Sequence, residues 1–274
     1  MRRTLKGQMT NPIRKTVANY LQSCQMADGG FIFTRIEPSG IKETYLATAT
    51  LAMLRANFNR YGVLRFWEEQ FKYNESLDIP EMFWIMASLR ILRKQVSPFW
   101  KEQWQKYAEL LIRTTDEAGL PAAESVSKDL EELFYLTSLH RMFKMEFDKQ
   151  SIVYRVSDLQ QEDGGFGEQE MSDTTSTLYA LKILSILRRP YPKKSNIHSY
   201  LQEQFLKFNH LESLFEVVEG LSLLGYALPR RKRVSEFIFS CQRDNGGFAS
   251  AATGMPTIET TYQAVTVMRS YKTI

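Results

Sequence analysis

A chain of 274 residues is long for one compact domain, short for two, and ample for burying a large core. Its 43% hydrophobic and 12% aromatic content excludes disorder, and a formal charge of +4 without a nucleic-acid-binding motif argues against nucleic acid as a partner. No window approaches the run of about 18 apolar residues that a membrane span needs, and the basic start MRRTLKGQMTNPIRK has no apolar stretch behind it, so a cytoplasmic protein is expected.

From the N-terminus, the first helical pattern covers roughly residues 11–25 and runs into Gln25-Met-Ala-Asp28-Gly29-Gly30-Phe31. A second, more apolar helix follows as ETYLATATLAML from Glu43. The pair recurs at roughly 60–71 with EMFWIMASLRIL from Glu81, and at 98–113 with EELFYLTSLHRM from Glu131. The pattern at 147–160 ends in a second glycine segment, Gln160-Gln-Glu-Asp163-Gly164-Gly165-Phe166, before DTTSTLYALKIL from Asp173. The last two pairs are 193–207 with SLFEVVEGLSLL from Ser213, and 230–242 with ETTYQAVTVMRS from Glu259, the latter joined by Gln242-Arg-Asp-Asn245-Gly246-Gly247-Phe248.

Three segments thus read QxxxGGF, and the second helices align without gaps, their starts 38, 50, 42, 40 and 46 residues apart. Small residues recur seven positions in: Thr50, Ser88, Ser138, Ala180, Gly220 and Thr266. Six helical hairpins follow. One hairpin cannot bury its own apolar face, so hairpins at this period stack into a solenoid or close into a ring. Neither terminal unit is more polar than the rest, as a solenoid cap would be, so the expected fold is all-α, an (α/α)6 barrel over residues 1–274. The small, apolar second helices are inner and the amphipathic first helices outer. Cys24 and Cys241 fall at equivalent outer-helix positions of the first and last hairpins; neighbouring axes lie about 8–10 Å apart, beyond the roughly 7 Å a disulfide tolerates. The Gly-Gly segments lack the Lys-Ser/Thr of a phosphate loop and read as turns.

At these residues the chain resembles the superfamily of squalene and other class II terpenoid cyclases and the β subunits of protein prenyltransferases. QxxxGGF is similar to its QW-type repeat, QxxxGxW, with Phe for Trp. Tyr20-Leu21 and Phe237-Ile238 match the aromatic-aliphatic pair before the Gln, whereas Arg155-Val156 matches only its aliphatic half. The resemblance covers essentially the whole chain and implies the same α/α barrel. It also implies where chemistry would sit. Cyclases of this kind take their proton donor from a DxDD motif opening an inner helix; here the stretch is Glu170, Met171, Ser172 and Asp173, with Ser172 in the central acid's place. Prenyltransferases hold zinc through Asp-x-Cys and a later His; here Asp173 is followed by Thr175, and Glu259 stands where the His is sought. Neither a metal nor a cofactor is expected.

Peculiar to this chain, Glu43, Glu81, Glu131, Asp173 and Glu259 open five inner helices, with Glu212 just before the sixth. Acids favour first turns because of the helix dipole; the alternative is a ring of carboxylates at one mouth, in which crowding raises one pKa and makes a general acid, or which binds a cation. Just inside come Tyr45, Phe83, Trp84, Phe134, Tyr135, Phe215 and Tyr262 as candidate substrate walls, with small residues deeper leaving room for a cavity. Trp67, Trp100 and Trp104 fall on outer helices and read as packing. At the opposite mouth, Arg55, Arg90, Arg93, Lys94, Arg141, Lys144, Arg188, Arg189, Arg269 and Lys272 form a basic rim, either a solvated set of helix C-termini or a surface for anionic membrane. His140, His198 and His210 have no metal-ligand spacing.

Two functions fit. One is an isoprenoid-processing enzyme, a cyclase or transferase with the lipid inside the barrel, which then requires a second subunit, a homodimer or an unfamiliar acid. The other is a barrel without chemistry that holds a lipid or a protein partner.

Overall fold

The computed structural model describes residues 12–36, 38–73, 77–92, 98–118, 125–168 and 171–272. The rim cations Arg93 and Lys94 and Glu170 of the motif comparison lie outside them, as do the side chains of Trp100 and Trp104. Twelve helices alternate in two layers among the described residues. The outer helices are α1 (Pro12–Ser23), α3 (Arg60–Tyr73), α5 (Pro98–Ala118), α7 (Lys149–Asp158), α9 (Lys194–Lys207) and α11 (Arg231–Cys241). The inner helices are α2 (Ile41–Met53), α4 (Ile79–Leu92), α6 (Val126–Phe143), α8 (Thr174–Ile186), α10 (Leu211–Leu224) and α12 (Ile258–Ser270). Each inner helix packs on the next, and α12 packs back on α2, so the inner layer is a closed ring. The all-α toroid expected from the repeat is the fold.

The QxxxGGF segments are alike down to single bonds. The Gln at the end of the outer helix pairs with the Phe across the turn, and that Phe pairs in two of the three with the residue opening the inner helix: Gln25 with Phe31 and Phe31 with Gly40, Gln242 with Phe248 and Phe248 with Thr257. In the middle repeat the second pairing extends into the hairpin of β1 (Phe166–Glu168) and β2 (Met171–Asp173). Each Phe is fully buried, and its N–H donates to a threonine one turn into the inner helix: Thr44 at 2.9 Å, Thr177 at 2.9 Å and Thr261 at 3.1 Å. The first Gly of each pair has a positive φ, +98°, +95° and +91° at Gly29, Gly164 and Gly246.

These turns also join the outer layer. A β-carbon on Gly29 would meet the carbonyl of Gly62 on α3, on Gly164 the backbone of Asn196 on α9, and on Gly246 the carbonyl of Thr16 on α1. The last turn therefore seats against the first helix. Tyr20 donates to the Pro256 carbonyl at 3.0 Å along the same seam.

The ungapped register of the inner helices needs correction. By their caps, Gly40, Asp173 and Thr257 are equivalent, as are Thr44, Thr177 and Thr261. Glu43 and Glu81 then lie three residues inside their caps, Glu259 two, and Asp173 is itself a cap. The small-residue pattern alone tolerates such slips, because consecutive positions on a tightly packed helix are all small or apolar. Cys24 and Cys241 are free and buried. Trp67 is fully buried and meets Phe66 edge-on.

Candidate functional site

The inner helices surround a cavity of about 330 Å³. Its wall repeats at i, i+3, i+4 and i+7, the face a helix turns toward one direction. On α2 it is Lys42, Tyr45 and Leu46; on α6 Glu131, Phe134 and Tyr135; on α12 Glu259, Tyr262 and Gln263. On α8 and α10 it reaches one turn deeper, through Thr175, Leu178, Tyr179 and Lys182, and through Glu212, Phe215, Glu216 and Glu219. Phe83 and Trp84 come from α4. All wall residues lie in the first three turns of their helices, so the mouth is at the helix N-termini.

The seven aromatic residues singled out from sequence meet on this one wall. Tyr45 meets Phe83 edge-on at 5.9 Å, Phe83 meets Tyr135 at 4.8 Å, Trp84 meets Tyr135 at 5.6 Å, and Phe215 meets Tyr262 at 6.1 Å between centroids. Tyr179, which the slipped register hid, extends the first of these chains of rings, 5.6 Å from Phe134.

The five acids do not form the expected ring. Only Glu131 and Glu259 face the cavity. Glu43 folds back over the backbone of Gly40. Glu81 accepts the Asp78 N–H at 3.2 Å while Asp78 accepts the Glu81 N–H at 2.8 Å, a reciprocal cap; burial, more than neighbouring charge, pushes its carboxyl above the usual range. Asp173 is exposed and caps α8, accepting the Ser176 N–H at 2.7 Å and its hydroxyl at 2.6 Å. This is the helix-terminus role of an acid.

The cavity has its own polar groups instead. Glu131 accepts the hydroxyls of Tyr135 at 2.7 Å and Tyr179 at 2.6 Å, and Glu259 pairs with Lys42 at 2.8 Å. Deeper, Glu216 accepts the hydroxyls of Thr174 and Thr175, the latter at 2.6 Å. Burial pushes the carboxyls of Glu216 and Glu219 up, against the lowering effect of those hydroxyls on Glu216 and of Lys182 on Glu219. Burial also pushes the Lys182 ammonium down, with Glu219, Glu131 and Glu216 opposing. The Lys182 nitrogen stands over three rings, 5.2 Å from Phe134, 5.0 Å from Tyr179 and 5.8 Å from Phe215. Sequence reasoning missed Lys182, Glu216 and Glu219. Their signal was present, since a charged residue on the apolar face of an inner helix is expensive unless used.

The residues at the zinc-type positions do not suit that metal. Asp173 is occupied as a cap, Thr175 donates to Glu216, and among the described residues no three His, Cys, Asp or Glu are grouped to hold a metal. At the DxDD-type position, Ser172 donates its hydroxyl to Asp163 at 2.6 Å. The histidines are apart: His140 is buried against Phe147, His198 stacks on Tyr226, and His210 is exposed at the start of α10.

A family model, the prenyltransferase α-α toroid domain, matches residues 3–69, 62–205 and 194–273. The chain belongs to that family. None of the curated proteins matches it. A prenyltransferase α-α toroid domain places its inner helices around a central space, and in this member that space is walled by rings and holds five carboxyls, Glu131, Glu212, Glu216, Glu219 and Glu259, and two amines, Lys42 and Lys182. No described helix is long and apolar enough to cross a membrane.

Proposed function

We propose that this toroid takes an isoprenoid or another lipid chain into its cavity and acts on it as a terpenoid-cyclase- or prenyltransferase-like protein. The observation that carries the reading is the wall itself, with rings from all six inner helices around about 330 Å³. That is within the range of small-molecule sites, and such a wall favours an apolar chain and any cation formed along it. Glu216 is the proposed proton donor in place of a DxDD acid. It lies inside the ring wall, two threonine hydroxyls fix its orientation, and burial favours its protonated form. Native mass spectrometry of the protein purified from its own host should find a retained lipid, together with any second subunit or second copy. Glu216→Gln should abolish turnover of that lipid without releasing it; a protein that retains no lipid and has no affinity for added farnesol would sink the reading.

One observation favours the non-catalytic alternative. Lys182 fills the three-ring seat that would otherwise receive a carbocation, and a lipid-holding barrel needs no such seat. Unchanged lipid recovered after incubation with every cavity carboxylate intact would decide for it. The basic rim at the far end, where Arg55, Arg90, Arg141, Lys144, Arg188, Arg189, Arg269 and Lys272 are all exposed, is proposed to contact anionic membrane at about 1 kcal/mol per well-placed cation. Sedimentation with vesicles containing and lacking anionic lipid tests that contact.

A further inference from the structure

We propose that the lipid this cavity accepts carries an aldehyde, and that Lys182 captures it as an imine. The inference rests on the lipid reading for the hydrocarbon chain and adds the reactive end. Counted from the caps, Lys182 occupies the layer where α2, α4 and α12 have Ala49, Ala87 and Thr266. At the same count the neighbouring α10 carries Glu219, so amine and carboxyl are two charged side chains set against the small ones of α2, α4 and α12. Among the described residues its nitrogen has no hydrogen bond and no carboxylate oxygen within 4.0 Å; what surrounds it is the faces of Phe134, Tyr179 and Phe215. An amine so placed either holds an anion or attacks a carbonyl carbon.

Charge decides between the two. An anion would have to pass Glu131, Glu212 and Glu259 at the mouth, with Lys42 and Lys182 the only amines among the described lining residues to compensate. A neutral aldehyde meets no such repulsion. Burial lowers the pKa of the Lys182 ammonium, which enriches the free amine relative to a surface lysine. In the step itself, the nitrogen lone pair forms a C–N bond to the aldehyde carbon while the C=O π pair moves onto oxygen. One nitrogen proton passes to that oxygen, giving a carbinolamine. The carbinolamine hydroxyl then leaves with a proton from Glu219 as water, and the nitrogen lone pair forms the C=N bond. The product is a protonated imine in the three-ring seat with the Glu219 carboxylate as its counter-ion. Amine and aldehyde thus become imine and water, with no change of oxidation state.

The test uses the full chain with limiting farnesal and sodium cyanoborohydride, followed by peptide mass mapping. The expected adduct is on Lys182 in preference to the surface lysines, is suppressed by excess farnesol, forms more slowly in Glu219→Gln, and is lost in Lys182→Arg. Suppression by farnesol in the unaltered protein keeps the test decisive should Lys182→Arg fail to fold. Labelling spread evenly over lysines, or an unlabelled Lys182 in a protein that still binds farnesol, overturns the imine and leaves the lipid reading standing. Failure to bind farnesol as well as to label overturns both.

Discussion

Gly246 and Gly225 show how differently one residue type can be used. Both have a positive φ, but a β-carbon on Gly246 would run into the Thr16 carbonyl at 2.3 Å, whereas nothing lies within 4 Å of one on Gly225. Gly246→Ala should therefore cost about 2–4 kcal/mol and Gly225→Ala about 1 kcal/mol, measured by chemical denaturation. The same scale holds the site's pH behaviour. Because the folded-state pKa of Lys182 is lowered, the unfolded chain binds more protons between that value and about 10.4, and this group's contribution to stability rises with pH through the window. Lys182→Met should then stabilise the protein by about 1–2 kcal/mol at pH 7, with the gain shrinking as pH approaches 10, as thermal melts across pH would show. Glu219 has the opposite sign. Its raised carboxyl makes the folded chain bind more protons just above about 4.3, so stability falls as pH rises there, and Glu219→Gln should remove that slope.

At the scale of elements, helix existence was legible because each amphipathic outer helix buries one stripe, and QxxxGGF marks where three of them stop. The expected outer segments 60–71 and 193–207 fall almost on α3 and α9. The phase of the inner helices was not legible. Their apolar character is nearly continuous, and α6 begins about one turn before its neighbours, so that Glu131 is inward while the cap is Ser125. This slip made Asp173 look like a site residue and concealed Tyr179 and Lys182, whereas the seven rings survived it because large aromatics face inward wherever the count begins. Asp173→Ala should accordingly cost about 1 kcal/mol through loss of the cap on α8 and leave ligand binding and any turnover intact, which paired stability and binding assays would show. Thr177→Val, which strands the buried Phe166 N–H, should cost about 1–3 kcal/mol in the same denaturation assay.

The whole molecule is a ring, and its two ends meet. Lys42 on α2 pairs with Glu259 on α12, and the Gly246 turn seats on α1. Removing α11 and α12 should thus abolish cooperative unfolding rather than leave a stable five-hairpin body, as circular dichroism melts would reveal; a surviving sharp transition would mean that the hairpins stand alone. The exposed basic rim lies at the C-terminal ends of the inner helices and the cavity opens at their N-terminal ends, so a membrane held by that rim would face away from the mouth. The closure also sets a schedule for synthesis. Contacts between residues more than two hundred positions apart complete the chamber, so a ribosome-bound chain has only an unclosed arc of hairpins until α12 emerges. Capture of any guest therefore belongs to the finished protein, and nascent chains must keep an apolar inner face from sticking elsewhere until the seam is made.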